Sequence, residues 1–404
     1  DSLRARLAAV LASGQAPDLA IVGGADPAML AARGQLIDLR DSLDRIVGLN
    51  GELFPPLRAL AENGPFVDRP ANQPAPAWAI PHLSVGGGWL IRQDLLARQN
   101  LAPPKTFDDA RTIALKLATA SGDRFGWGSG IPIDEAGDGL ARVALLAYGA
   151  SIFDALGLRI ALDPSAAAAG LQAVANLGRA DDGSSLAPPG AVDWTPDQTA
   201  AALAAGRVAQ TIDLGGVYSL TVTRSPSLLG SIVALPPPAG PKGWFTSAPS
   251  TFLIVPRQGR APARAVAIVE QLLRPARYDQ LVRTGQGSVI PPYAYLTKGP
   301  FWDEDANYAA FAANARGDPA RSFQFAAPGF PSPPTLPAAV IQASDALSMA
   351  LRRVVTGDSS APDAASALVT RLDALARQSL SLQPTPTPTP VPFWLQLIRS
   401  ASAP

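Results

Sequence analysis

The sequence predicts an α/β protein, because short apolar strands alternate with amphipathic helices along the chain. In residues 80–117 the glycine-rich apolar run Leu83–Ile91 indicates one buried strand. A short helix, Arg92–Gln99, follows, and Thr106 then begins a second helix with a capping-box pattern. Nearer the start of the chain, the apolar strand Asp18–Val22 lies between two segments with helical spacing of leucines.

Length and composition limit the classes of function. A chain of 404 residues is long enough for two or three domains with sizeable cores. Lysine plus arginine and aspartate plus glutamate both number 33, so nothing indicates a nucleic-acid partner. The sequence has no cysteine, which excludes disulfides, thiolate metal sites and cysteine nucleophiles. The single histidine, His82, argues against a histidine metal site or a Ser-His-Asp triad. We therefore expect no metal, no cofactor and no catalytic residue.

Two stretches resemble the extracellular solute-binding proteins of ABC importers, the maltose-binding-like family. The first, WLIRQDLLARQNLAPPKTFDDARTIALKLA, combines a strand, an Asp-Leu-Leu helix, a double proline and a capped helix in the family's order. In it Phe107 stands where the family usually has Trp, and Arg92 stands where it often has Asn. The second is Thr199–Tyr218, TAAALAAGRVAQTIDLGGVY, which matches a helix, a Gly-Arg turn, a buried strand and a binding loop. With weaker matches, the resemblance covers nearly all of residues 1–380.

The resemblance implies a two-lobed periplasmic-binding-protein type II fold, with strand crossovers and a central ligand cleft. The first lobe is expected to comprise residues 1–84 and 248–297, and the second lobe residues 85–247 and 298–380. The crossings are expected near Pro81–Gly87 and Phe245–Ser250. Lobes of this kind close on their ligand by hinge motion.

The sequence also supports predictions about the two ends of the chain. Family members have a further strand, helix and strand before the segment that matches Asp1. We therefore expect an N-terminally truncated chain, whose first lobe lacks its usual N-terminal strand and leaves Asp18–Val22 beside a partly exposed position. At the other end, residues 381–404 are predicted to be a Thr-Pro-rich linker and tail with polyproline II character. We expect Gln383–Pro404 to make little contact with the lobes; a membrane-surface or partner-docking helix is the alternative.

Aromatic residues are candidates for the ligand site, because the apolar face of a sugar ring packs on an aromatic ring. The resemblance places Trp127, Tyr218 and Trp244 in loops that border the cleft, and these three are expected to face the groove. Trp89 lies in the strand after the glycines and is as compatible with the core as with the cleft. Trp194, in a polar loop, is a cleft or rim residue.

Three polar residues complete the predicted ligand site. Asp26 and Asp213 are the carboxylates best placed to accept hydrogen bonds from hydroxyl groups, and the alternative for both is a structural role in a turn. His82 precedes the first crossing. Its alternatives are a hydrogen bond to the ligand or a neutral ring that satisfies local backbone groups.

The resemblance implies extracytoplasmic binding of a small solute, with a sugar or sugar derivative preferred, and its delivery to the membrane subunits of an ABC importer. Gly216 and Ser344 stand where sugar binders of the family have aromatic residues, so a small sugar, a polyol or a non-sugar solute is favoured over a long oligosaccharide. We expect a monomer that is tethered to the membrane in its full-length form. The alternatives are a degenerate domain acting in interaction or sensing, and an extracellular hydrolase.

Overall fold

Helices and strands alternate along most of the chain, which confirms the predicted α/β class. The computed structural model describes residues 3–62, 74–119, 121–317, 323–379 and 381. The helices are α1 (Leu3–Ala12), α2 (Asp26–Ala32), α3 (Arg40–Asn50), α4 (Pro55–Glu62), α5 (Gln93–Arg98), α6 (Phe107–Leu117), α7 (Glu135–Ala147), α8 (Pro164–Asn176), α9 (Pro196–Ala204), α10 (Val217–Arg224), α11 (Pro262–Leu272), α12 (Pro275–Gly285), α13 (Pro300–Asp303), α14 (Ala306–Arg316), α15 (Leu336–Gln342), α16 (Ala346–Thr356) and α17 (Ala361–Ser379). The strands are β1 (Ala20–Gly23), β2 (Ile80–Val85), β3 (Gly88–Arg92), β4 (Gln210–Asp213), β5 (Ile232–Leu235), β6 (Trp244–Thr246), β7 (Ser250–Ile254), β8 (Val289–Ile290) and β9 (Phe323–Phe325). None of the described helices has both the length and the apolar composition needed to cross a membrane.

The first sheet has four strands in the order β1-β7-β2-β8, with antiparallel neighbours. Ser84 of β2 lies opposite Ser250 of β7, and their hydroxyl oxygens are 2.9 Å apart. β1 is at the end of this sheet, and its Ile21 side chain is 45% exposed. The strand predicted at Asp18–Val22 is therefore an edge strand of the sheet as the structure describes it. We call the part of the molecule built on this sheet the first lobe.

The second sheet has three strands in the order β4-β3-β5, also antiparallel. Every residue of the central strand β3 is buried, as expected for a strand covered on both faces. α7 packs against α8 and α16, and these helices share one hydrophobic cluster with Trp89 and Ile212 of this sheet. We call this part the second lobe. A separate parallel pair joins β6 to β9.

The glycine run between β2 and β3 carries the chain from one sheet to the other. The sequence predicted one strand over Leu83–Ile91, but the structure has two strands in different sheets, separated by Gly86 and Gly87. A Cβ atom at Gly87 would lie 2.2 Å from the carbonyl oxygen of Asp213, and one at Gly86 would lie 2.5 Å from that of Gly287. Close backbone contacts on both sides therefore require glycine at this crossing.

Some helices begin with a side-chain cap, as α6 does. The predicted capping box at Thr106 is confirmed, because the Asp109 backbone N–H donates to Thr106 Oγ1 (3.0 Å) and the Thr106 N–H donates to Asp109 Oδ2 (3.0 Å). Asp134 caps α7, which begins at Glu135. The tail from Gln383 to Pro404 lies outside the described residues.

Small residues line the contact between α2 of the first lobe and α15. Ala25, Ala28 and Ala339 form a buried cluster there, and such side chains let two helices approach closely. The residue limits of the two lobes stay a prediction.

The buried centre of the second sheet generates a stability prediction. Leu90→Ala in β3, where the leucine is fully buried, should lower the free energy of unfolding by about 2–5 kcal/mol. The control is Leu156→Ala at a leucine that is 68% exposed, which should change it by less than about 0.5 kcal/mol. Urea unfolding followed by circular dichroism measures both, and equal effects would contradict the assignment of Leu90 to the core.

Candidate functional site

The start of α7 lies where the two lobes meet. The Asp134 carboxylate caps this helix by accepting hydrogen bonds from the backbone N–H groups of Ala136 (2.8 Å) and Gly137 (3.1 Å). A Cβ atom at Gly137 would lie 1.9 Å from the carbonyl oxygen of Pro132, so glycine is needed where the chain turns into the helix. This turn holds Glu135 at the edge of the second lobe.

The Glu135 carboxylate reaches the first lobe at the turn after β1. The backbone N–H of Gly24 donates to Glu135 Oε2 at 3.4 Å. A Cβ atom at Gly23 would lie 2.9 Å from one carboxylate oxygen, and a Cβ atom at Gly24 would lie 3.1 Å from the other. The Gly23–Gly24 turn therefore admits the carboxylate because it carries no side chains, and this contact joins the two lobes.

Burial shifts the pKa values of three ionisable side chains of α7. Although Glu135 keeps some solvent-accessible surface, its carboxylate is surrounded by protein, and this burial raises its pKa to about 7. The Gly24 N–H and Arg142 oppose the rise, while the Asp26 carboxylate adds to it. Burial also raises the pKa of Asp138 to about 6 and lowers the pKa of Arg142, whose guanidinium is stabilised by these two carboxylates of the same helix.

A cavity of about 280 Å³ opens beside this contact, and we call it the cleft cavity. Residues of both lobes line it: Leu3, Arg4, Leu7, Val22, Gly23, Asp26, Ile133, Asp134, Glu135, Gln342 and Asp345. Arg4 spans it, since Nε donates to Asp26 Oδ1 (2.5 Å) and a terminal nitrogen donates to the Ala343 carbonyl (3.0 Å). The cleft cavity therefore has the placement expected of a ligand cleft.

A second cavity, of about 350 Å³, shares Asp134 with the cleft cavity, and we call it the Trp194 cavity. It is lined by Ser129, Gly130, Pro132, Asp134, Ala136, Val192, Asp193, Trp194, Thr195, Pro196, Thr199, Ile212, Leu214, Val217 and Arg352. Trp194 is partly buried, and Arg352 pairs with the carboxylate of Asp193 beside it. An aromatic ring next to charged and hydroxyl groups suits a ligand that has apolar and polar faces.

Asp26 and Asp213 are the two predicted site residues that line cavities between the lobes. Asp26 lies in the cleft cavity, where it also accepts the Gly23 backbone N–H at 3.1 Å. Asp213 lines a small cavity of about 20 Å³ behind the first crossing. Its two oxygens accept backbone hydrogen bonds from the loop that leads into α10, at 2.8–3.0 Å. Asp213 therefore shapes that loop, which was the alternative given for it.

Three of the predicted aromatic residues lie in hydrophobic cores, where neighbouring rings bury them. Trp89 and Trp127 stack on each other with ring centroids 4.7 Å apart, and Trp89 Nε1 donates to Gln210. Tyr218 is 1% exposed and its hydroxyl donates to Asp305. None of the three lines the cleft cavity or the Trp194 cavity. Trp127 lines a separate cavity of about 430 Å³, and the expectation that Trp127 and Tyr218 face the groove stays a prediction.

Trp244 and His82 also lie away from these two cavities. The partly exposed Trp244 belongs to β6, and its Nε1 donates to the Lys105 carbonyl at 3.2 Å. His82 is a residue of β2 whose Nδ1 is 3.4 Å from the Thr251 hydroxyl, and burial lowers its pKa. Neutral imidazole beside a neighbouring strand agrees with the structural alternative.

Glu135 and Gln342 were not singled out from the sequence. The neighbouring residues could have indicated Glu135, because Asp134 is a good N-cap and the helix dipole favours a carboxylate in the first helical turn. Nothing local distinguishes Gln342, which reaches the cleft cavity from the end of α15. Within the described residues, no group of three or more histidine or acidic side chains could hold a metal ion.

Comparison with known proteins identifies the family of the chain and its fold. The sequence profile of the bacterial extracellular solute-binding protein family matches residues 1–277. Among solved structures, a solute-binding protein of an ABC transporter from Thermotoga lettingae TMO, bound with alpha-D-tagatose, aligns with a TM-score of 0.73 at 18% identity over 93% of this chain and 89% of that one. Maltose-bound MalE3 of T. maritima aligns with a TM-score of 0.72 at 19% identity, over 92% of this chain and 88% of that one. An ABC transporter solute-binding protein from Agrobacterium radiobacter K84, in complex with ribitol, aligns with a TM-score of 0.70 at 16% identity, over 92% of this chain and 88% of that one. A comparison with curated protein sequences found no match.

The chain has the two-lobed fold of periplasmic binding proteins, as the sequence predicted. It belongs to the bacterial extracellular solute-binding protein family. That family and the neighbouring structures named above are binding proteins rather than enzymes.

The enclosed carboxylate of Glu135 generates a pH prediction. Between about pH 4.5 and 7 the folded protein holds a proton on Glu135 that the unfolded chain releases, so the free energy of unfolding should fall as the pH rises. The Glu135→Gln variant has no carboxyl group to titrate there, so its free energy of unfolding should fall less over this pH range. The difference in stability between the variant and the parent protein should therefore shift in favour of the variant as the pH rises. Urea unfolding at several pH values measures it, with Glu52→Gln at an exposed glutamate as the control. Parallel curves for the parent protein and Glu135→Gln would show that the carboxylate is solvated.

Proposed function

We propose that this protein binds a small sugar or polyol between its two lobes and delivers it to an ABC importer. The observation that carries the proposal is the cleft cavity, which is lined from both lobes around the Glu135 contact. The tagatose, maltose and ribitol complexes of proteins with the same fold support the choice of ligand class.

The ligand is placed at the start of α7, in the cleft cavity and the Trp194 cavity. These cavities share Asp134 and measure about 280 and 350 Å³, which suits a small solute better than a long oligosaccharide. The ring of Trp194 supplies an apolar platform for one face of a sugar. The Asp193 and Arg352 side chains, with the Thr195 hydroxyl, supply partners for its hydroxyl groups.

Closure depends on the two crossings between the lobes. Gly86 and Gly87 are tightly surrounded by backbone, so the chain there has little room for side chains and bends at a defined point. A ligand that touches Glu135 and the Gly23–Gly24 turn together is bound better by the closed arrangement, and this difference in affinity drives closure.

The wider setting is part of the same proposal. The family is extracellular, and we place the protein outside the cytoplasm, as a monomer tethered to the membrane in its full-length form. Its partners are the membrane subunits of the importer and the small solute, which it binds without turnover. The lobes comprise residues 1–84 with 248–297, and 85–247 with 298–380.

Trp194 provides the test of this site. A thermal-shift screen with tagatose, maltose, ribitol and related sugars identifies a ligand, because binding to the folded state raises the melting temperature. Trp194→Ala should then weaken that ligand by about 2 kcal/mol, or roughly thirtyfold, in isothermal titration calorimetry. Trp244→Ala is the matched control, since Trp244 lies outside both cavities. Loss of affinity in the control but not in Trp194→Ala would place the ligand elsewhere.

A further inference from the structure

The loop that carries Trp194 is fixed by backbone contacts on both sides of this residue. A Cβ atom at Gly130 would lie 2.0 Å from the Trp194 carbonyl oxygen, so the loop packs directly on a glycine of the segment before α7. The Trp194 N–H donates to the Ala191 carbonyl (3.1 Å) and closes a short 3₁₀ turn. The next residue, Thr195, begins α9 with a capping box. Trp194 therefore lies between two tightly built pieces of backbone.

Arg352 of α16 ties this loop to the neighbouring segment. Its Nη1 atom donates to the carbonyl oxygens of Ile131 (2.7 Å) and Val192 (3.0 Å), and its Nη2 atom donates to the carboxylate of Asp193. The Ile131 N–H donates to the same Val192 carbonyl at 2.9 Å. One guanidinium therefore holds the two residues directly before Trp194 and the segment beside them.

The hydrogen bonds to the two carbonyl groups matter more in this contact than the ion pair does. The Asp193 side chain is 69% exposed and the Arg352 side chain 20%. An ion pair with an exposed partner contributes little, because water screens it. A guanidinium also presents its donors in a fixed planar fork, whereas a lysine ammonium is a point charge on a flexible stem. The geometry of the fork, more than its charge, is therefore suited to fixing a loop.

α16 gives the Arg352 side chain a rigid base. Asp345, which precedes the helix, has a left-handed backbone with φ of 54°, and its side chain accepts no capping hydrogen bond. Asp138 of α7 supplies a cap instead, since its Oδ1 atom accepts the Ser348 backbone N–H at 2.7 Å. Leu351, the residue before Arg352, is fully buried. The helix is thus fixed against α7, whose start borders the Trp194 cavity.

We propose that Arg352 is a positioning residue, whose fork of hydrogen bonds fixes the Trp194 ring at the Trp194 cavity before a solute arrives. The role rests on the proposed function, since it concerns the platform on which the solute is placed there. A platform that is ordered in advance lowers the cost of binding. Arg352 also lines the cavity, so direct contact with the solute is the competing explanation. The two differ in the protein without ligand, where only positioning affects Trp194.

Fluorine NMR of the protein labelled with fluorotryptophan tests the positioning role without a ligand. The sequence has seven tryptophans, and the Trp194 line is the one lost in Trp194→Phe. In Arg352→Gln this line should broaden or move by more than its width, because the loop loses the contacts that hold it. The lines of the buried Trp78 and Trp302 should stay in place and show that the variant folds. An unchanged Trp194 line overturns the proposal.

The substitution Arg352→Lys separates geometry from charge. Lysine keeps a positive charge beside Asp193 but lacks the planar fork, so this variant should change the Trp194 line as Arg352→Gln does. Arg353→Lys and Arg353→Gln, at the exposed arginine that follows in the same helix, are the matched controls and should leave the line unchanged. A Trp194 line that lysine restores overturns the proposal, because charge alone would then hold the loop.

A double-mutant cycle connects the platform to binding. Calorimetry with D-tagatose, maltose and ribitol should show about tenfold weaker binding of any bound compound to Arg352→Lys. The same substitution should change little in the Trp194→Ala background, because Arg352 acts through Trp194. Equal weakening in both backgrounds overturns the proposal and assigns Arg352 to direct contact with the solute. If none of the three compounds binds, the proposed function fails, and the fluorine spectra alone support or overturn the role of Arg352.

Discussion

The contact of the Glu135 carboxylate with the Gly23–Gly24 turn determines how the two lobes of this protein meet. It requires three local features at once. Asp134 must cap α7 so that the helix starts at Glu135, and the turn after β1 must lack side chains. Small residues must also line the helix contact beside it, as Ala28 and Ala339 do. The cleft cavity includes this contact in its lining, and the Trp194 cavity shares with it Asp134, the residue before Glu135.

The contact is electrostatically unfavourable without a ligand. The Glu135 carboxylate is buried beside Asp26, and the backbone N–H groups of Gly24 and Ser250 stabilise its charged form only in part. This burial raises the pKa of Glu135, and the Arg142 guanidinium opposes the rise only in part. A solute that donates hydrogen bonds to Glu135 would reduce the cost in the closed arrangement alone. In the proposed function, binding and lobe closure are coupled through the Glu135 carboxylate.

The sequence was a good guide to the fold and a partial guide to the site. The capping box at Thr106 and the strand–helix order were predictable, because they depend on residues a few positions apart. The crossing at Gly86–Gly87 was located, although β2 and β3 were predicted as one strand, since periodicity does not show to which sheet a strand belongs. The ring positions of Trp89 and Trp127 were not predictable, because each is buried by the other and they lie far apart in the sequence.

The polar residues of the site were also only partly predictable from the sequence. Asp26 was predicted as an acceptor for hydroxyl groups, and it lines the cleft cavity. Glu135 and Gln342 reach that cavity from separate helices, and only the assembled structure brings them together. Asp345 depends on a left-handed backbone that the sequence gives no sign of. Helix starts and unusual backbone angles therefore decide the site here, more than the number of aromatic residues does.

Lobe closure on a bound solute is the central claim, and a distance between the lobes tests it most directly. The sequence has no cysteine, so cysteines introduced at exposed Arg6 of α1 and exposed Met349 of α16 would carry a single pair of spin labels. Pulsed electron paramagnetic resonance then gives the distance distribution with and without a saturating sugar or polyol found by thermal shift. We expect a shorter, narrower distance distribution with the ligand. An unchanged distribution in a sample shown to be saturated would contradict it.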